Sequence, residues 1–551
     1  MSAKSINIAV ISILLFLSLA MLANSMTKPL GRDEQMYCTG GALMAKGMMI
    51  YRDFSYPSQM PYHPLLYAGL FKTLNTTHYL LTGRIVSALC DVAVLVCIVG
   101  IYRRIFKSFP VAGMLLGLAG SILYVFNPSV DYANGYAWNH DVVILCVALS
   151  FWLFVSTDFG NRARYWRVAV IGGLLTFATW MRVTGVLVEL LFLVMLLVQP
   201  AQSARQRVKT ILPFLIAAAG VSVWPVWVIA QAPRAFFLNI VRIPALYGEW
   251  LKRIGMVHSK FNLTLNSITT PGYLVLIAVA VYLCIVVMHL NKKKFSHRGH
   301  RGSSTDLSGV AKAKTEAKKA ETNYKQCKSV LIRVFFIDGK NLLLAALLPV
   351  VFFIIAFIPP TMWKQYLAMP VPFLVIWLAY PLLYLRELAS KDSQNKHFKI
   401  AAVLVALCVV VAVVSQPIVL SRTLMLAAPE GWTPVQLHRI SQDIAQRTKE
   451  PKLALTLAPL FALEGGCDIY TELSAGSIIY RIADLMSPDD RAITHTVGPK
   501  TLGELVEKSP PAVVIVGVEM EFLEEHLLKT AVKPDWERKV YENGVTSYFR
   551  P

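Results

Sequence analysis

The chain has 551 residues, 55% of them hydrophobic and 16% charged, and its mean hydropathy is positive. That balance excludes a soluble enzyme of this length and implies a polytopic helical membrane protein. The formal charge of +21 does not mark a nucleic-acid partner, because the lysines and arginines sit in short segments between apolar runs, a pattern that records topology.

Apolar runs at 6–26, 79–102, 111–127, 141–157, 168–181, 183–199, 211–230, 272–290, 341–358, 366–385 and 399–420 predict eleven crossings. The first is either a span or a signal peptide cleaved near Ala23 and Ser25; both outcomes put residue 30 beyond the membrane. The runs 168–181 and 183–199 are short, are parted only by Arg182, and are read as a hairpin of half-immersed helices. The connections "YRRIFK", "NRARYWR" and "SARQRVK" are basic, as is the insertion 291–340 with thirteen Lys and Arg against four acids. These face the cytoplasm, the insertion lying near anionic headgroups. Loops 27–78, 128–140, 231–271 and 359–365 then share the outer face with the C-terminus.

After residue 420 the composition becomes that of a soluble α/β module. "LALTL" and "AVVIVG" read as buried strands, "SAGSIIYRIADLM" and "VEMEFLEEHLLKT" as helices, and "KVYENGVTSYF" as a hairpin turning at Asn543-Gly544. Eight scattered cysteines give neither metal spacing nor a disulfide framework, and the topology permits one outer bridge, Cys38–Cys467.

The first outer loop is unusual. Asp33 and Glu34 open it, "QMYCTGGALMAKG" has the near-helical apolar spacing of an interfacial helix, and "YRDF" and "YPSQMPYHPLLY" keep Tyr and His at headgroup depth. Within the second span Arg84 and Asp91 lie two turns apart on one face, where they pair with each other or Arg84 meets a substrate. Asp141 opens the fourth span as a helix cap or a substrate contact, and Asp53 is a second loop carboxylate or a turn former.

This order of features resembles the GT-C glycosyltransferase superfamily, in the branch of protein O-mannosyltransferases and lipid A aminoarabinose transferases (families 39 and 83). "WNHDVVILCVALSFWLF" is similar to that family's acid at the outer start of the fourth helix. "TWMRVTG" is similar to its cation before a Thr/Gly pair, and "KQYLAMPVPFL" to its Tyr-Leu-x-x-Pro motif. The resemblance implies a transmembrane catalytic domain over 1–420, an extracytoplasmic α/β domain over 421–551, and a bacterial inner membrane with the N-terminus cytoplasmic. It implies an inverting transferase whose partners are membrane lipids, a polyprenyl-phosphate sugar donor, and a lipid, glycan or protein acceptor.

The chemistry asks for a carboxylate to accept the acceptor's proton and for cations facing the departing phosphate. The resemblance gives the first role to Asp33, with Glu34 binding acceptor or holding the loop. Arg182, Lys364, Tyr366 and His63 are the phosphate candidates, and Arg84, Asp53 and Asp141 the remaining substrate contacts. Relatives often carry a Glu before the "HP" step, whereas "SYPSQMPYHP" has none, so neither a metal nor another cofactor is expected. A transporter or flippase of lipid-linked sugars and an envelope scaffold are the competing readings; a transporter predicts inverted repeats and broken helices meeting near midplane, whereas here the polar constellation lies on one outer face and one end carries a soluble domain.

Overall fold

All eleven apolar runs are helical in the computed structural model, which describes residues 3–159, 164–198, 203–257, 259–299, 339–391 and 396–551. Most of the basic insertion lies outside them. The chain begins with α1 (Ala3–Thr27), and α2 (Arg32–Ala45) and α3 (Tyr62–Leu74) form its first long connection. There follow α4 (Tyr79–Ile105), α5 (Pro110–Val125), α6 (Pro128–Ala133), α7 (His140–Ser156), α8 (Arg164–Met181), α9 (Val186–Leu197) and α10 (Ala204–Gln231). A second long connection holds α11 (Pro233–Phe237), a π-turn at Leu238–Arg242, α12 (Ile243–Arg253) and α13 (Lys260–Ile268). The remaining apolar helices are α14 (Pro271–Gly299), α15 (Gly339–Phe357), α16 (Pro370–Trp377), α17 (Ala379–Lys391), α18 (His397–Ser415) and α19 (Pro417–Leu424).

Among the described residues seven helical segments are long and apolar enough to cross a bilayer and α5, α7 and α9 are shorter apolar helices, while α8, the first arm of the expected half-immersed hairpin, falls in neither group. Apolar helices gain little by hiding from lipid, and glycines let their backbones approach instead. A Cβ on Gly172 of α8 would stand 2.6 Å from the Phe214 carbonyl of α10, and one on Gly113 of α5 would stand 2.6 Å from the Phe106 Cβ that follows α4.

The C-terminal domain contains α20 (Thr433–Arg447), β1 (Leu453–Thr456), α21 (Pro459–Leu463), β2 (Asp468–Ile469), β3 (Val513–Val516), α22 (Glu521–Ala531), β4 (Glu537–Val540) and β5 (Thr546–Phe549). Its sheet runs β2-β1-β3-β5-β4, parallel at β2-β1-β3 and antiparallel at β3-β5-β4. The helix expected in "SAGSIIYRIADLM" shrinks to Ser477–Tyr480 and one 3-10 turn at Ala483–Leu485. Ile479, Tyr480, Ile482 and Ala483 are all buried, so packing on several sides overrides helical periodicity here.

Helix α2 departs from expectation. Instead of lying in the interface with a wet face, it is buried from Glu34 to Leu43, because α3 covers one side and α21 of the C-terminal domain another. The seam is polar and specific. Gln35 Oε1 accepts from the Leu460 N–H (3.3 Å), Lys46 pairs with Asp468 (3.1 Å), and His78 stacks on His438 with ring centres 3.6 Å apart. Glu464 accepts from the Leu80 N–H at 2.7 Å and so caps the first turn of α4. Cys38 and Cys467 lie buried as free thiols, and the bridge between them is not formed. Beyond the last span, α19 stays with the membrane helices, Arg422 reaching Asn24 (2.8 Å) and Asp131 (2.7 Å).

Gly41 sets the fit of α2 on α3, since an added Cβ would stand 2.5 Å from the Tyr67 Cβ and 2.9 Å from the Phe71 ring, whereas Gly69 of α3 faces open space. Gly41→Val is expected to destabilise the protein by about 1–3 kcal/mol or more through overpacking. Gly69→Ala should be neutral to stabilising, and thermal unfolding of the two purified variants in detergent checks the contrast.

Candidate active site

The site is built on a buried ion pair. Glu34 in the first turn of α2 receives the Arg84 guanidinium from α4 at 2.9 Å on Oε1 and 2.8 Å on Oε2, and both side chains are fully buried. Glu34 also accepts from the N–H groups of Gly31 (2.7 Å) and Ala137 (2.7 Å). Arg84 donates in addition to the carbonyls of Ser25, Lys28 and Pro29. Every acceptor direction of the carboxylate is thus filled, which is the condition for a buried pair to be tolerated. The end of α1, the start of α2, the middle of the 134–139 loop and α4 meet at this one ion pair.

Two expectations are corrected here. Arg84 does not pair with Asp91, which is bound by Tyr124 (3.0 Å) and Asn134 (2.5 Å), and Arg84 has no exposed surface on which a substrate contact would rest. Glu34 has no free lone pair for catalysis and acts as the clamp of the loop, the alternative foreseen for it.

Asp33 precedes Glu34 by one helical position and projects to a different side. It forms no ion pair with any described residue and keeps partial exposure. Surrounding protein, then the Glu34 charge, push its carboxyl up to about 6, against the opposing pull of Arg182, Arg32 and Arg481. Tyr37, one turn further along α2, Tyr132, Tyr247 and Tyr366 all feel its charge. Arg182 stands at the break between α8 and the 3-10 turn Val183–Gly185, its guanidinium 4.6 Å from the centre of the Tyr366 ring. The hairpin that carries it is held by Glu189, which accepts from Thr176 (2.5 Å) and Thr179 (2.7 Å), and by Asn139, whose amide donates to the Met181 carbonyl (2.9 Å). Lys364, in the 3-10 turn Lys364–Leu367, sits 4.9 Å above the Tyr132 ring. Asp33, Arg182 and Tyr366, from three separate segments, are therefore neighbours in one aromatic-walled cluster, which Lys364 joins through Tyr132.

The other expected contacts lie elsewhere. His63 is wedged between the rings of Tyr37 (4.5 Å) and Tyr67 (4.4 Å) with no exposed surface, and burial lowers its pKa to about 3, so it is a neutral packing element rather than a phosphate ligand. Asp53 closes its own turn by pairing with Arg52 (2.7 Å) and accepting from the Met49 N–H (2.7 Å). Asp141 accepts from the Gly135 N–H (3.0 Å) and steadies the 134–139 loop without facing the cluster.

Residues that motif reading missed come from the second connection and the C-terminal domain. Arg481 donates to Glu519 (2.6 Å) and to the Tyr247 hydroxyl (3.0 Å), and lies over the Trp250 ring. Glu519 also meets Arg32 at 3.6 Å, and Glu524 holds its loop by accepting three N–H groups at Gly517, Val518 and Glu519. Buried Lys28 binds the carbonyls of Tyr132 (3.1 Å) and Asn134 (2.6 Å), and burial lowers its pKa to about 7. Only Tyr37 had a local signal, its one-turn spacing from Asp33. Among the described residues no group of three or more His, Cys, Asp or Glu is placed to hold a metal ion.

No protein-family model and no curated protein matches the sequence. Solved structures do match in fold. The crystal structure of ArnT from Cupriavidus metallidurans bound to undecaprenyl phosphate superposes with a TM-score of 0.59 at 13% identity, covering 99% of this chain and 98% of that one. The apo form of the same protein gives 0.59 at 12% identity, with 100% and 98% covered. The chain shares the fold of these structures along its whole length. The match takes in the C-terminal sheet domain along with the membrane helices.

Breaking the Glu34–Arg84 pair should cost about 3–5 kcal/mol, because a buried charge is left uncompensated. Arg84→Met is expected to abolish recovery of folded protein, or to lower its unfolding temperature far more than Asp53→Asn does, as read by size exclusion and thermal unfolding.

Proposed function

We propose that this protein is an integral-membrane glycosyltransferase that moves a sugar from a polyprenyl-phosphate donor to an acceptor hydroxyl on a lipid, glycan or protein. The observation that carries this reading is the state of Asp33. In its cluster Glu34 and Glu519 are tied by arginines, while Asp33 is left unpaired between Arg182 and the tyrosines. In the proposed step the acceptor oxygen attacks the anomeric carbon as its proton passes to Asp33. The bond from that carbon to the phosphate oxygen breaks, and the electron pair leaves with the lipid phosphate. Arg182 and Lys364 would receive the negative charge that grows there, and Tyr366 would donate a hydrogen bond. One unpaired carboxylate suits a single displacement with inversion.

A donor that keeps its tail in the bilayer and its sugar outside fits a cluster set between membrane helices and the sheet domain. The ArnT match supports such a donor, since that GT-C structure holds undecaprenyl phosphate. In this reading residues 1–420 are the catalytic membrane unit of a bacterial inner-membrane protein, with the N-terminus cytoplasmic. Residues 421–551 cover the site from the outer face.

Asp33→Asn is expected to lower transfer from a purified polyprenyl-phosphate sugar by about a hundred- to ten-thousand-fold with unfolding temperature unchanged. Transfer at the parental rate would overturn the assignment. A base works ionised, so kcat/KM should rise with pH to a plateau above about 6 and lose that limb in Asp33→Asn. Arg182 holds the carboxyl down, and Arg182→Met should therefore move the limb to higher pH as well as weaken donor binding.

A further inference from the structure

At the end of α8 opposite Arg182, a cavity of about 560 Å³ opens between α8 and α10. Its origin is visible in the packing. The two helices touch backbone to backbone at Gly172 and Phe214. Toward their N-terminal ends the groove opens, lined by Tyr165 and Ala169 on one side and Lys209, Leu212, Pro213 and Ile216 on the other. Leu212 and Ile216 are 48% and 62% exposed, so the walls are apolar surface on membrane helices. Among the described residues no acid lines the groove.

The charges at its mouth are of two kinds. Arg164 and Arg167 are already spent on the carbonyls of Phe159 and Ser156, and Arg164 also donates to the Tyr165 hydroxyl (3.0 Å). Lys209 is exposed and forms no hydrogen bond or ion pair with any described residue, and the same is true of Arg205 and Arg207 on the turn before it. An unengaged ammonium above an apolar slot is complementary to a lipid anion, whose acyl chain fills the slot and whose phosphate meets the cation. The distance of this groove from Asp33, a full length of α8, separates it from the donor.

We infer that the base of α8 and α10 is a binding site for one anionic glycerophospholipid, held by Lys209 at its phosphate and by Leu212, Pro213 and Ile216 along one acyl chain. The test uses the delipidated full chain in detergent, with phosphatidylglycerol and phosphatidylcholine of identical chains titrated by native mass spectrometry. One phosphatidylglycerol should be retained in preference to phosphatidylcholine. Lys209→Glu, a surface change that leaves the fold alone, should weaken that retention about tenfold, the loss of one charge-assisted contact. Ala169→Trp, which fills the slot, should remove it. A phosphatidylglycerol carrying a photoreactive chain should label the stretch 204–217. Equal retention of the two lipids, parental binding by Lys209→Glu, or labelling only elsewhere would overturn the proposal. Displacement of phosphatidylglycerol by a lower concentration of polyprenyl phosphate would overturn it too, by naming a different occupant.

Discussion

The carboxylate of Glu34 is the point on which the α2 end of the membrane helices is assembled. Four donors converge on it, one guanidinium contributing two of them, and they come from three segments: the start of α2, α4 and the 134–139 loop. A buried pair of this kind adds little net stability over an apolar substitute, but it admits only one geometry. That geometry sets where α2 starts, and hence where the neighbouring Asp33 is aimed.

Around Asp33 the protein has arranged opposing influences. Burial and an adjacent acid favour the protonated carboxyl, while three arginines favour the ionised one, and the balance leaves it near 6. In the proposed reading Asp33 is a general base, and such a group is most useful when its pKa lies close to the working pH. The C-terminal domain takes part in that balance through Arg481, itself held by Glu519, so the sheet domain is electrically part of the cluster as well as its cover.

Much of the architecture was legible in the sequence because apolar runs and basic connections report directly on membrane helices and their order. The strands "LALTL" and "AVVIVG" and the Asn543-Gly544 hairpin were equally plain, since local turn chemistry and buried β-branched runs determine them. The cluster was legible as far as short motifs reach, giving Asp33, Arg182, Lys364 and Tyr366. It failed where partners are chosen in three dimensions. The spacing of Arg84 and Asp91 allowed a pair within one helix, yet Arg84 turned to Glu34, fifty residues away in sequence. Likewise α2 looked amphipathic enough for the interface because nothing local reveals that Pro459–Leu463 will lie on it.

The Leu80 N–H, capped by Glu464, bears on how the molecule comes to completion. A helix leaves its first N–H groups unsatisfied unless something outside supplies acceptors. The membrane helix Tyr79–Ile105 takes one of them from a residue made 384 positions later. That N–H is made long before its acceptor, so it can be satisfied in this way only after residue 464 has followed it. Final locking of this end of the molecule is therefore a late event, and a chain cut short before its sheet domain would leave that turn without its Glu464 cap.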